Sequence, residues 1–185
     1  MTFPALFDTC SLYGAYLCDL LLGLAENGAF RPLWSEQILE ELDRALAERL
    51  GPERTARRIE AMRRAFPDAI VTGYQPLVSG MSCDAKDRHV LAAAVRAKAE
   101  VLVTFNTKDF PGNSTAAYDV TVVHVDDFLL DQLDLYPGLV IASLHQQVTK
   151  YRNPQMTVAD LLSLLARSGL PRFAAEAVRH LPPAP

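Results

Sequence analysis

Cysteine is scarce in this sequence: three residues in 185, Cys10, Cys18 and Cys83, with no two in CxxC spacing. That odd, dispersed set excludes a disulfide framework or a cysteine-built zinc site and points to a reducing compartment. No glycine-rich turn follows the first apolar run, so dinucleotide binding is unsupported. Long apolar runs are missing as well. The stretch Leu20 to Leu24 is bordered by Asp19 and is too short to span a bilayer. No signal peptide precedes the first expected strand, so a cytoplasmic protein without a membrane segment is expected. Excess positive charge is absent: 18 Lys and Arg face 22 Asp and Glu, a net charge of -4. Nucleic acid would not be held by bulk charge, although a local basic face could still serve. There is no internal repeat and no low-complexity tract.

What is present is a hydrophobic half, enough for the core of one ordinary domain with or without a small appendage. The stretch from Asp84 to Asp109, DAKDRHVLAAAVRAKAEVLVTFNTKD, organises the rest. Val90, Leu91, Ala94, Val95 and Ala97 recur at helical spacing, which predicts an amphipathic helix over Lys86 to Lys98. VLVTF is short, continuous and valine-rich, the pattern of a buried strand. Polar residues stand just before that helix and just after that strand. Ligands of open α/β folds bind outside the carboxyl ends of the strands.

Elsewhere the chain alternates. Phe3 to Phe7 reads as a first strand, with Asp8 at its junction with an apolar helix from about Leu12 to Glu26 that Asn27-Gly28 ends. Phe30 to Trp34 is a second strand, and Ser35 caps a helix that Gly51-Pro52 stops. A further helix, Pro52 to Phe66, carries Arg54, Arg57, Arg58, Arg63 and Arg64. Those arginines suit phosphate contact as well as they suit a solvated face with internal ion pairs. Ala69 to Thr72 and Val120 to Val123 complete the strands, with a short helix at Asn113 to Tyr118 and His124 at the last strand's end. Beyond Asp126 only helices are expected, with breaks at Tyr136-Pro137-Gly138 and Asn153-Pro154, a helix capped by Thr157, and a last one over Arg172 to His180 fraying into LPPAP. The fold class is therefore α/β, a central parallel sheet of four to five strands flanked by helices, with a C-terminal all-helical extension.

The polar residues collected at strand ends and nearby helix starts are Asp8, Asp84, Asp87, Asn106 and Asp109, with Glu41 contributed from a helix. Each has an ordinary structural use: helix capping for Asp8, Asp84 and Asp87, turn stabilisation for Asp109, a solvated helix face for Glu41. Together they are oxygen donors without histidine or cysteine, a set that suits Mg²⁺ or Mn²⁺. Crowded carboxylates repel unless some are protonated or a cation joins them, and such a cation can activate water against a phosphodiester.

FDTC, ILEEL, DAKDRHVLAAA and LVTFNTKDF, in that order, resemble the PIN domain, and YRNPQMTVADLLSLLARSGLPRF resembles the helical extension of a longer subgroup of VapC-type toxins. The resemblance implies a PIN-like nuclease domain over residues 1–130 and a helical extension over 131–185. It implies a Mg²⁺- or Mn²⁺-dependent endoribonuclease acting on RNA, neutralised by a cognate VapB-type antitoxin and commonly a homodimer. Asp8, Glu41 and Asp87 match the family's acids, Asp84 is an accompanying carboxylate, and Asp109 lies in the segment that carries the last acid. The mechanism expected has Asp8, Glu41, Asp87 and Asp109 as catalytic acids, Asp84 and Asn106 as further metal donors, and Thr104 or Asn106 orienting water or phosphate. Two positions depart from the family. Asn106 stands where many members have aspartate, and Cys10 where an asparagine is common. These departures favour an alternative, a catalytically weak PIN module acting by RNA or protein binding. A haloacid-dehalogenase-type phosphotransferase would need a second aspartate where Cys10 stands.

Overall fold

The computed structural model describes residues 2–152 and 154–181. Five short strands, β1 (Pro4–Phe7), β2 (Arg31–Ser35), β3 (Ile70–Val71), β4 (Val101–Thr104) and β5 (Thr121–His124), form one sheet in the order β3-β2-β1-β4-β5. Every neighbouring pair is parallel. Burial explains the apolar runs of the central strands: Ala5, Leu6 and Phe7 are at most 1% exposed, as are Leu102 and Val103 beside them, the pattern of parallel strands covered on both faces.

The helices follow local chemistry closely. They are α1 (Thr9–Tyr13), α2 (Ala15–Glu26), α3 (Glu36–Leu50), α4 (Pro52–Ala65), α5 (Arg88–Ala97), α6 (Gly112–Thr115), α7 (Val125–Leu135), α8 (Pro137–Thr149), α9 (Val158–Arg167) and α10 (Pro171–Arg179). Ser35 caps α3 by accepting from the Ile38 N–H at 3.2 Å. Gly51, at φ 83°, ends α3 and admits Pro52 at the first turn of α4. Thr157 and Asp160 form a reciprocal capping box on α9, which holds the Asp160 carboxyl below its usual range.

The single helix expected after β1 is two. Gly14 is extended (φ -67°, ψ 125°), so α1 stops after five residues and α2 starts afresh. The consequence is large, because the chain forms two compact units. One comprises residues 1–13 and 30–124 and holds the sheet with α1, α3, α4, α5 and α6. The other comprises residues 14–29 and 125–185, so α2 belongs with the C-terminal helices. Within this second unit α2 packs on α8 and α9, and α10 packs on α7 and α9. Tyr151 stacks edge-on against Tyr16 at 5.3 Å and donates its hydroxyl proton to Asp19 at 2.6 Å. Burial, then that donation, pushes the Tyr151 hydroxyl above its ordinary pKa. The buried Asp126 carboxylate of α7 accepts from the backbone N–H groups of Arg172 and Phe173, satisfying the start of α10. Asp127 pairs with Arg172 beside it. Asn153, within the break expected at Asn153-Pro154, and residues 182–185, most of the expected fraying tail, lie outside the described residues. No helix among the described residues is long and apolar enough to cross a membrane.

Candidate active site

The strand order places a topological switch between β1 and β4: β1 leads to β2 on one side, β4 to β5 on the other. Connections that leave in opposite directions open a crevice at the carboxyl ends of those two strands. Asp8 directly follows β1, and Asn106 and Asp109 follow β4.

Asp8 is 6% exposed and fully engaged. Its Oδ1 accepts from the Thr9 N–H at 2.7 Å, and its Oδ2 from the Thr104 hydroxyl at 2.8 Å and the Cys10 thiol at 3.1 Å. Asp8 directly precedes α1, and its carboxylate meets the N–H of the first helical residue, Thr9, rather than a donor deeper in the turn. Thr104 is buried, donates to Asp8 and accepts from the Asn106 N–H at 3.0 Å. Its hydroxyl is thus committed to holding Asp8. Cys10 also accepts from the Phe105 N–H at 3.3 Å. Burial, then the charge of Asp8, pushes its thiol up to about 11, so it stays protonated and works as a donor to Asp8.

Glu41 reaches the same place from α3. Its Oε2 accepts from the Thr9 hydroxyl at 2.9 Å, and its Oε1 lies 2.9 Å from Nε2 of His89 on α5. Neighbouring Glu40 is exposed.

The second group of acids is less contented. Asp87 occupies the N-cap position of α5, yet its side chain caps nothing. Its Oδ2 is buried and accepts no hydrogen bond. Desolvation, then the charge of Asp8, raises the Asp87 carboxyl to about 6, with Asp109 and Asp84 adding to the shift. Asp109 pairs with the ammonium of Lys86 at 3.3 Å, and the same ammonium lies 3.9 Å from Asp87. Lys86 is itself held above its ordinary pKa, first by Asp109. Asp84 is exposed and serves its turn: Oδ1 accepts from the Lys86 N–H at 3.1 Å, and its own N–H donates to the Asp109 carbonyl at 3.0 Å. Asn106 is exposed. Asp8, Glu41, Asp87 and Asp109 thus share one end of the sheet, while Asp84 is tied into the loop. Among the described residues, no three His, Cys, Asp or Glu side chains converge as a ready-made cation cage.

The arginines of α4 divide. Arg58 donates to the carbonyls of Leu12 and Tyr13 at the end of α1, and Arg63 pairs with Glu36. Arg64 lies 3.9 Å from Glu60 one turn away. Arg54 and Arg57 are exposed. His124 sits edge-on to Phe105 at 5.3 Å, a packing role.

Two residues of this site escaped the sequence reading, Thr9 and His89. Both stand beside acids that were singled out, Thr9 after Asp8 and His89 two after Asp87. A histidine on the apolar face of α5 was the available signal. Its partner lies far back in the chain, so no local pattern could name it.

A parallel sheet with carboxylates gathered at its switch point defines a class of open α/β domains that bind ligands at the strands' carboxyl ends, and comparison gives the family. The PIN domain matches residues 4–108, and the VapC50 C-terminal domain matches residues 125–179. The chain belongs to the PIN-domain family, as a VapC-type member with a helical C-terminal region. It is 46% identical over 114 residues to a Mycobacterium tuberculosis protein named "Putative ribonuclease VapC50", covering 62% of this chain and 67% of that protein. No solved structure matches the chain.

Proposed function

We propose that the chain is a metal-dependent endoribonuclease, the toxin of a VapBC-type toxin–antitoxin pair, hydrolysing RNA phosphodiester bonds. The observation that carries this reading is Asp87. A carboxylate whose buried Oδ2 accepts no hydrogen bond, has the Lys86 ammonium no nearer than 3.9 Å and is raised to about 6 by burial and by Asp8 is poorly satisfied by the protein alone. Hard oxygen donors in that state fit Mg²⁺ or Mn²⁺, which would relieve the repulsion. Asp8, Glu41, Asp87 and Asp109 would hold the cation, with Asn106 able to lend a neutral carbonyl oxygen. When bound, the cation supplies positive charge to the phosphoryl oxygens and the reacting water.

The chain's own residues do the rest. Thr104, Cys10 and the Thr9 N–H fix both oxygens of Asp8 against β4, so that carboxylate needs no rearrangement to meet a ligand. Exposed Lys86 presents a point charge to the phosphate backbone at the mouth of the site. Hydrolysis would leave a 3′-hydroxyl and a 5′-phosphate. A cognate VapB-type antitoxin, a homodimer and a cytoplasmic location belong to the same reading.

Asp8→Asn tests it, because the change removes charge with little change of shape. Cleavage of RNA in Mg²⁺ should fall below detection while the circular dichroism spectrum is retained. Undiminished Mg²⁺-dependent cleavage by that variant would sink the assignment. The alternative of a catalytically weak binding module rests on Asn106, since Cys10 serves Asp8 as a donor, and calorimetry separates the two: that module would take up no Mg²⁺ at millimolar concentration.

A further inference from the structure

Glu41 is the acid of this cluster that travels furthest to join it, since α3 follows β2 while the other acids border β1, α5 and β4. A long glutamate side chain loses rotamer freedom when it is held in one place, so something must fix it. Two donors do so, one per oxygen: the Thr9 hydroxyl at 2.9 Å on Oε2 and His89 Nε2 at 2.9 Å on Oε1. The two donors come from the elements that carry Asp8 and Asp87, so the clamp sets Glu41 relative to both.

His89 is built for this single contact. The residue is 5% exposed, and its Nδ1 is buried without a hydrogen-bond partner. An orphaned lone pair costs less to bury than an orphaned N–H, so the ring proton belongs on Nε2, aimed at Glu41. A histidine kept only for packing would gain from an apolar replacement of similar shape. Each Glu41 oxygen keeps a second lone pair beyond its donor, and the side chain remains 28% exposed.

We propose that His89 and Thr9 are positioning residues that pin the two Glu41 oxygens so that their remaining lone pairs meet the divalent cation. The proposal rests on the nuclease reading above. Groups that orient a ligating carboxylate from behind govern metal affinity, and removing one costs about 10–100-fold.

The test is Mn²⁺ titration of the full-length chain by calorimetry, with thermal unfolding in EDTA as the fold control. His89→Leu should weaken Mn²⁺ binding about 10–100-fold. His89→Gln, whose amide reaches where Nε2 stood, should restore affinity to within about threefold of wild type. Thr9→Val should weaken binding about three- to tenfold, and this nearly isosteric change carries the test if His89→Leu does not fold. In a Glu41→Gln background the His89→Leu change should have no further effect, because both act through one carboxylate. Wild-type affinity in His89→Leu and Thr9→Val overturns the proposal and leaves the nuclease reading standing. So does a His89→Gln variant as weak as His89→Leu, or a full His89→Leu loss in the Glu41→Gln background. If the wild-type chain takes up no Mn²⁺, the nuclease reading falls and the proposal falls with it.

Discussion

Asp8 and Glu41 have both carboxylate oxygens engaged by donors from the protein, whereas Asp87 keeps one buried oxygen without a hydrogen bond and Asp109 is met by an exposed lysine. The two pairs lie at the same end of one sheet and have the same chemistry. They differ in what surrounds them. The first pair borders β1 and α3, where neighbouring threonine, cysteine and histidine side chains supply protons. The second borders the loops around α5 and β4, where the cation that meets them is the exposed Lys86. One half of the site is pre-organised by the fold, and the other is left at odds with its surroundings. Strain of that kind at a functional site is a stability cost that a bound partner can repay.

The comparison can be broken most severely at Asp87. Asp87→Asn should cut RNA cleavage by about 10²–10³-fold, the scale of losing one electrostatic contributor. The same change should raise the melting temperature in EDTA at pH 7.5 by a few degrees, because it removes a buried charge facing Asp8. A variant that is both inactive and less stable than wild type would refute the idea that Asp87 is held against its preference.

A smaller effect follows from acidity. The folded protein holds the Asp87 proton up to about pH 6, above the ordinary aspartate value of 3.8. Folded chains therefore bind more protons than unfolded ones between roughly pH 4 and pH 6, and this group's contribution to stability falls as pH rises through that window. Its cost is fully present above about pH 6 and is gone below about pH 4. Melting curves in EDTA should show wild type gaining on Asp87→Asn as pH drops from 7 to 5. Saturating Mn²⁺ should flatten the wild-type trend near neutral pH. Parallel curves for the two proteins would contradict it.

Lys86 should give the smallest change. Lys86→Met removes an exposed cation that competes for Asp87 and Asp109, so Mn²⁺ affinity should rise about two- to fivefold, within the range of a surface ion pair. The gain should vanish in high salt, and an unchanged affinity at low salt would exclude the competition.

Much of the fold was legible because its causes are local. Ser35, Gly51-Pro52 and the Thr157 cap act on their own neighbours, and the valine run of β4 reports burial directly. Asp8 and Asp109 could be placed at the carboxyl end of the sheet because each follows a strand whose apolar run is plain in the sequence, and Asp87 because it directly precedes the apolar pattern of α5. Asp84 and Asp87 could not be separated by spacing alone, since only the turned loop commits Asp84 to the Lys86 N–H. Thr9 and His89 were hidden for the opposite reason, as their partner is distant in sequence. The break at Gly14 was hidden too, because a lone glycine inside an apolar helical pattern is usually tolerated.

That break matters for the order in which the protein is made. The leucines Leu17, Leu20, Leu21 and Leu24 of α2 leave the ribosome early, but the helices that pack on α2 begin only at Pro137 and Val158. At common synthesis speeds the interval is on the order of 10 s. Through it, an amphipathic helix must wait with its apolar stripe uncovered while the strands on either side of it find one another. The first unit can assemble during translation, and the second closes only when the last helices arrive.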